Sequence, residues 1–273
     1  MREAATQLAA SALVLLFAGA AVFVAASAWM WVRRERRENE PAWTVTGVRA
    51  AALVVMFGAL AYRTKVAGRA TGADEAVLNW LTDHRTVWLT GPAIAVTDAG
   101  GTAGILLVVV VVGAVLSRRA RSLVPAVVLI GSVVAAVSAS ALVKTLVERG
   151  RPPLVTQVLA ETDYSFPSGH ATGAMAGFGM IAVALGYGLP AGRRWALLLA
   201  AGVLTVLVAA TRLYLGEHWL TDVVGGILLG GTVVVVGSSV YVALMPRVQT
   251  TTEHRDCLRR SAGGDGITTE SAV

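Results

Sequence analysis

Long apolar runs are the feature of this 273-residue sequence that most restricts its fold. A predominantly apolar stretch of about 20 residues is long enough to cross a lipid bilayer as a helix. Several runs approach or exceed that length, and polar segments separate them. We therefore predict an all-α fold, a polytopic transmembrane helix bundle, with spans at about residues 7–32, 47–62, 102–116, 123–143, 171–189, 195–210 and 223–245.

Composition supports a membrane protein over a soluble one. The chain is 55% hydrophobic and 15% charged, with a formal net charge of +6. A basic balance fits either nucleic acid or an anionic membrane surface, and the arginine clusters beside apolar runs favour the membrane. We expect no nucleic-acid partner. The single cysteine, Cys257, rules out an intramolecular disulfide and a thiolate zinc cluster.

The first apolar run ends in Trp29 and Trp31 and is followed by the basic block at residues 33–37. Aromatic residues and then arginines indicate an exit into the cytoplasm. Because the basic block follows the run instead of preceding it, a retained span is favoured over a cleaved signal peptide. Alternating spans then place the loops around residues 144–170 and 211–222 outside the cytoplasm. The overall arginine and lysine bias agrees, although residues 63–69 count against it.

Three polar segments lie at the ends of apolar runs and carry the reactive side chains. Their sequences are KTLVERGRP at residues 144–152, YSFPSGH at 164–170 and TRLYLGEHWLTD at 211–222. Together they offer cations, a serine, a close-approach glycine, two histidines and a carboxylate. Guanidinium forks match phosphate oxygens, and the start of a helix after the Ser-Gly-His turn attracts anions. The combination predicts a site that holds and transfers a phosphoryl group.

His218 and Asp222 are spaced four residues apart. On a helix they would share one face, and the aspartate could fix the imidazole tautomer so that the other ring nitrogen is free to attack. His170 is then suited to protonate the leaving group. Taken alone, the His218–Asp222 spacing fits a structural hydrogen bond equally well.

These segments resemble the three signature motifs of the type 2 phosphatidic acid phosphatase (PAP2) superfamily, which also contains vanadium haloperoxidases and bacterial acid phosphatases. Lys144 to Pro152 fits the first motif, Pro167 to His170 the second, and the Arg212–His218–Asp222 spacing the third. Thr211 stands where the family usually has serine, and it keeps a hydroxyl.

The resemblance implies a six-helix core between about residues 47 and 245, with one extra N-terminal span. We expect an N-terminal unit at 1–45, a PAP2-like membrane domain at 46–245, and a disordered tail at 246–273. His218 would be the nucleophile of a phosphohistidine intermediate, Asp222 its orienting group and His170 the acid. No metal or other cofactor is implied. The phosphate ligands implied are Lys144, Arg151, Ser168, Gly169 and Arg212.

The expected activity is hydrolysis of a lipid phosphomonoester or pyrophosphate on the extracytoplasmic side of a plasma membrane. The composition, rich in alanine, valine and arginine, favours a bacterial plasma membrane. The resemblance implies phosphatidic acid, phosphatidylglycerophosphate or polyprenyl pyrophosphate as substrate. Phosphoryl transfer to another lipid is the main alternative. An anion transporter ranks lower because the cations lie at span ends on one side. A haloperoxidase also ranks lower because that branch of the superfamily is largely soluble.

Several residues are assigned structural or surface roles. Arg149 has no position in the motifs and is expected to be a solvated or headgroup-facing charge. Glu161 and Asp163 are expected to be solvated loop charges, with a role in tuning substrate access as the alternative. The segment 63–101 is predicted to form short amphipathic helices on the membrane surface, with Asp74 as a cap and Trp80 and Trp88 as interfacial residues.

Overall fold

The computed structural model describes residues 2–33, 43–67 and 70–245. Within these ranges the regular secondary structure is entirely helical, which confirms the predicted all-α class. The α-helices are α1 (Arg2–Arg33), α2 (Trp43–Ala67), α3 (Gly72–Asp83), α4 (Val87–Ala99), α5 (Thr102–Ala120), α6 (Val124–Val147), α7 (Gly169–Gly186), α8 (Ala191–Tyr214) and α9 (Leu220–Leu244), and one 3-10 turn covers Leu154–Thr156.

Six of the described helices are long and apolar enough to cross a bilayer: α2 and α5 to α9. They correspond to six of the predicted spans, and most extend beyond the predicted ends. The first predicted span falls on α1, whose apolar part, Val14–Trp29, is shorter. A seventh span therefore stays a prediction. Most of the basic block after it and the predicted disordered tail lie outside the described residues.

Helix α7 lies at the centre of the bundle and packs against α5, α6, α8 and α9. Small residues allow these close contacts. A Cβ atom placed on Gly177 would lie 2.4 Å from Cγ2 of Ile105, so a larger residue there would collide with α5. Gly177 therefore allows the close packing of α7 against α5. Around this contact Val109, Leu129 and Met180 are fully buried.

A second close approach joins α9 to the first turn of α7. A Cβ atom on Gly226 would lie 2.6 Å from the carbonyl oxygen of Ser168 and 3.1 Å from the amide nitrogen of Thr172. The missing side chain at position 226 thus lets the two helix starts touch. Both helix starts carry predicted site residues, so this contact determines how near those residues come to one another.

The two short helices α3 and α4 pack against α8 and connect α2 to α5. Thr71 is the N-cap of α3, and its hydroxyl and backbone N–H exchange hydrogen bonds with Asp74 in a capping box. Asp74 is therefore the third helical residue and not the N-cap. Trp80 and Trp88 are 60% and 75% exposed, as expected for interfacial residues. Asp74, in contrast, is completely buried.

Candidate active site

The three predicted motifs meet at one end of the bundle. Lys144 lies in the last turn of α6 and Arg212 in the last turn of α8, while Asp222 lies in the first turn of α9. Ser168 caps the start of α7, and its backbone N–H donates to the carbonyl of Asp222 at 3.0 Å. Helices that end and begin on the same side of the bundle bring together residues that are far apart in sequence.

His218 and Asp222 contact each other, but not along one helical face. Helix α9 begins at Leu220, so His218 precedes it and reaches back to the first turn. Its Nδ1 lies 3.4 Å from Oδ2 of Asp222. The same oxygen accepts the backbone N–H of Trp219 at 2.9 Å and the hydroxyl of Ser165. The sequence analysis considered both residues on one helical face, and this was wrong. Asp222 lies in the first turn of α9, whereas His218 precedes the helix.

The other ring nitrogen of His218 points toward the cations. Its Nε2 lies 3.4 Å from Nη1 of Arg151. The ring is 2% exposed, and burial lowers the pKa of His218 to about 4, although the Asp222 carboxylate opposes the shift. The imidazole is therefore neutral near neutral pH. One nitrogen faces a carboxylate while the second keeps its lone pair beside positive charge, which is the arrangement of an oriented nucleophile.

The start of α7 provides further donors for an anion. The Ser168 hydroxyl accepts the N–H of Ala171 at 3.4 Å, so Ser168 is the N-cap of α7. In the part of the chain that the structure describes, the N–H groups of Gly169 and His170 have no acceptor. A helix N-terminus with unsatisfied N–H groups favours negative charge. Ser168 is fully buried, whereas His170 is partly exposed.

Acidic residues already contact the candidate phosphate-binding cations. Nζ of Lys144 lies 2.5 Å from Oδ2 of Asp163, and Arg151 pairs with the other oxygen of Asp163. Nη2 of Arg212 lies 2.7 Å from Oε1 of Glu161. Burial opposes ionisation of Asp163, but hydrogen bonds from Lys144 and Arg151 outweigh it and lower its pKa to about 2. Asp163 is exposed and Glu161 is partly exposed, as expected for loop charges, but both carboxylates also pair with site cations. Their alternative role in tuning substrate access stays a prediction.

Arg212 has two further partners that the sequence did not indicate. Its Nη1 pairs with the fully buried Glu217 and donates to the hydroxyl of Thr97 at 3.1 Å. Burial raises the pKa of Glu217 above its ordinary value. Glu217 adjoins His218 in sequence, which was the available signal for its place in the site. Thr97 carried no such signal, because α4 lies outside the motifs.

Arg149 is the clearest correction to the sequence analysis. It is 5% exposed, so its charge faces neither solvent nor lipid headgroups. Its guanidinium pairs with Asp222 through Nη1 and with Asp74 through Nη2, the latter at 2.8 Å. It also lies 5.7 Å above the ring of Trp219. Two carboxylates and an aromatic face compensate the cost of burying this charge.

Thr211 is the one departure from the motif pattern, and its hydroxyl hydrogen-bonds within α8 instead of with the reactive groups. Its hydroxyl donates to the carbonyl of Val208, one turn back in α8, at 2.7 Å. The hydroxyl therefore serves the helix backbone.

Comparison with known proteins gives three concordant matches. A family model described as the PAP2 superfamily matches residues 125–246. Phosphatidylglycerophosphatase B of Bacillus subtilis (strain 168) is 32% identical over 162 residues, which cover 58% of this chain and 78% of that protein. The crystal structure of a transmembrane PAP2-type phosphatidylglycerolphosphate phosphatase from Bacillus subtilis matches with a TM-score of 0.65 and 27% identity, over 73% of this chain and 98% of that one.

Proposed function

This chain belongs to the PAP2 superfamily and is a phosphatase, and from that premise we propose that it hydrolyses the terminal phosphomonoester of a membrane lipid. The relatives named above act on phosphatidylglycerophosphate, which makes that lipid the first candidate substrate. The observation that carries the proposal is the position of His218. Its ring lies between the Asp222 carboxylate and the Arg151 guanidinium, with one nitrogen directed at each.

The proposed reaction proceeds in two displacements. Nε2 of His218 attacks phosphorus, the P–N bond forms, and the bond to the lipid oxygen breaks while His170 protonates the departing alkoxide. The phosphorylated ring is cationic, and Asp222 beside Nδ1 stabilises that charge. A water molecule then attacks phosphorus and gives its proton to His170. The P–N bond breaks, inorganic phosphate is released, and neutral His218 is regenerated.

Binding of the transferring phosphoryl group is assigned to donors from different segments of the chain. Lys144, Arg151 and Arg212 supply positive charge, while Ser168 and Gly169 supply the start of α7. Charge spreads over the equatorial oxygens in such a transition state, so donors fixed around it stabilise it more than they stabilise the bound substrate. The buried position of Arg212 supports this role, because its side chain is 2% exposed and held in place by several partners.

The position of the site at the helix ends fits a lipid substrate. A cleft of about 440 Å³ beside Arg151 is lined partly by Pro153, Gln157 and Tyr164. The neighbouring Leu154 and Val155 are 71% and 91% exposed. A headgroup in this cleft would reach the cations while its acyl chains stay against apolar surface. The arginine distribution supports an extracytoplasmic location for this end of the bundle.

The test is phosphate release in EDTA from a panel of phosphatidylglycerophosphate, phosphatidic acid and a polyprenyl pyrophosphate. Purified wild type is compared with His218→Ala, and the phosphoenzyme is trapped from labelled substrate by alkaline denaturation, which preserves phosphohistidine. We expect release from at least one lipid, a trapped intermediate in the wild type, and a loss of at least about a thousandfold in the variant. Equal activity of the variant would refute the nucleophile assignment.

A further inference from the structure

A buried chain of charges runs from the candidate nucleophile to the surface helix α3. Asp222 contacts His218 through Oδ2 and Arg149 through Oδ1. Arg149 then contacts Asp74 on α3 at 2.8 Å. Asp222 and Asp74 are fully buried and Arg149 is 5% exposed. Such groups are costly to bury unless each has partners, so their arrangement is closely determined.

Asp74 also holds the first turn of α9 directly. Its Oδ1 accepts the backbone N–H of Thr221 at 2.8 Å and the hydroxyl of the same residue at 2.9 Å. Its Oδ2 accepts from Arg149 and from the N–H of Thr71, each within 2.9 Å. One carboxylate thus joins the start of α3, the Arg149 guanidinium and the residue that precedes Asp222.

We propose that Arg149 and Asp74 are positioning residues for the His218–Asp222 pair. Arg149 engages Oδ1 of Asp222, which leaves Oδ2 directed at the histidine ring. Asp74 holds the guanidinium and the α9 backbone in the register that this requires. The functional unit then includes a surface helix that lies outside the family match at residues 125–246. This inference rests on the proposed role of His218 as the nucleophile.

If Arg149 and Asp74 position this pair, each variant should shift the pKa of His218 in a defined direction. The charged and titratable groups around that ring are Asp222 from α9, Arg151 from the segment after α6, Arg212 from α8 and His170 from α7. Arg149 partly neutralises Asp222. Without its charge, Asp222 would stabilise the imidazolium more strongly, and the pKa of His218 would rise. Without the charge of Asp74, Arg149 would oppose protonation more strongly, and that pKa would fall.

The experiment compares Arg149→Met, Arg149→Lys and Asp74→Asn with the wild type. Glu75→Gln is the matched control, because Glu75 is exposed and adjoins Asp74 on the same helix. The titration of His218 is followed by NMR of histidine-labelled protein in detergent. The chain has four histidines, so single substitutions suffice for assignment. The kcat and KM for the lipid panel are measured in parallel.

We expect the titration midpoint of His218 to move up in Arg149→Met and down in Asp74→Asn, each on the order of one pH unit. Arg149→Lys should keep the wild-type midpoint because it keeps the charge. For Arg149→Met and Asp74→Asn, kcat should fall about tenfold or more with little change in KM, and Glu75→Gln should match the wild type.

Midpoints that stay unchanged, or that move the same way in both variants, would overturn the inference. Destabilisation alone cannot imitate opposite shifts, because unfolding moves the midpoint of His218 toward the ordinary histidine value in both variants. The titration is measured without substrate. A wild type that releases no phosphate would therefore count against the proposed function while the midpoints still decide the positioning role.

Discussion

Arg212 and Glu161 form an ion pair with an Nη2–Oε1 distance of 2.7 Å, in a site where Asp163 also contacts Lys144 and Arg151. The acidic segment at residues 161–163 thus supplies carboxylate oxygens to the same cations that are assigned to phosphate. If these cations bind phosphate as proposed, a substrate phosphate has to displace the carboxylates. The affinity of the site for phosphate would then depend on the difference in free energy between the ion pairs with phosphate and those with the carboxylates.

Removing the competing charges should strengthen phosphate binding. We expect the double variant Glu161→Gln and Asp163→Asn to be inhibited by inorganic phosphate at a concentration roughly fivefold lower than the wild type. This factor corresponds to about 1 kcal/mol, the upper range for partly exposed ion pairs. The measurement is the inhibition constant for phosphate at fixed pH and low ionic strength.

The control is Glu148→Gln, which neutralises an exposed carboxylate at the end of α6. It should leave the inhibition constant unchanged. If the double variant binds phosphate with equal or lower affinity, the carboxylates support the cations and do not compete with the substrate.

His170 should matter in proportion to the difficulty of expelling the leaving group. A lipid alkoxide needs a proton in the transition state, whereas p-nitrophenolate leaves without one. We expect His170→Ala to lose about 100- to 10,000-fold in kcat on the lipid but much less on p-nitrophenyl phosphate. His218→Ala should lose activity on both substrates. Equal losses on both substrates in His170→Ala would argue against an acid role.

The low pKa of His218 predicts activity in moderately acidic solution. An ordinary histidine is half protonated near pH 6.5, whereas burial places the pKa of His218 at about 4. Because the neutral ring is the proposed nucleophile, kcat/KM should stay on its plateau as pH falls and drop only near pH 4. Ionisation of the substrate is measured separately by phosphorus NMR and corrected for. A fall centred near pH 6.5 after this correction would contradict the prediction.

Gly226 should tolerate no side chain. A Cβ atom there would lie 2.6 Å from the Ser168 carbonyl, and the backbone at the start of α7 would have to move. We expect Gly226→Ala to lower the free energy of unfolding by about 1–3 kcal/mol and to reduce kcat. Thermal unfolding in detergent measures the first effect. Gly202→Ala on α8 is the control, because a Cβ atom there meets nothing within 4 Å, and it should behave like the wild type.

The sequence predicted the elements of the fold well because bilayer thickness fixes the length of an apolar helix. The spans α2 and α5 to α9 follow from that rule alone. The alternation of spans also placed Lys144, Arg151 and His170 on one side, at or near helix ends. The ends of the helices were less well predicted, since polar residues such as Lys144 continue the last turn of a span.

The parts of the site that the sequence missed depend on contacts between distant segments. Asp74 was assigned only a capping role, because nothing in the local pattern of α3 indicates that it binds Arg149. Arg149 was judged by its lack of a motif position, and an isolated arginine near a span end is usually at the interface. Only the packing of α3 against α9 turns both residues into a buried pair.

The contact between α7 and α9 at Gly226 also has a consequence for biosynthesis. Asp222 and the N–H groups at the start of α7 are brought together by the last described span to be made. A nascent chain that has inserted only the earlier spans holds His170 and the cations without the His218–Asp222 pair. On the proposed mechanism, we therefore expect the enzyme to become competent only when α9 packs against α7. A product truncated before α9 should then release no phosphate, whatever part of the bundle has already formed.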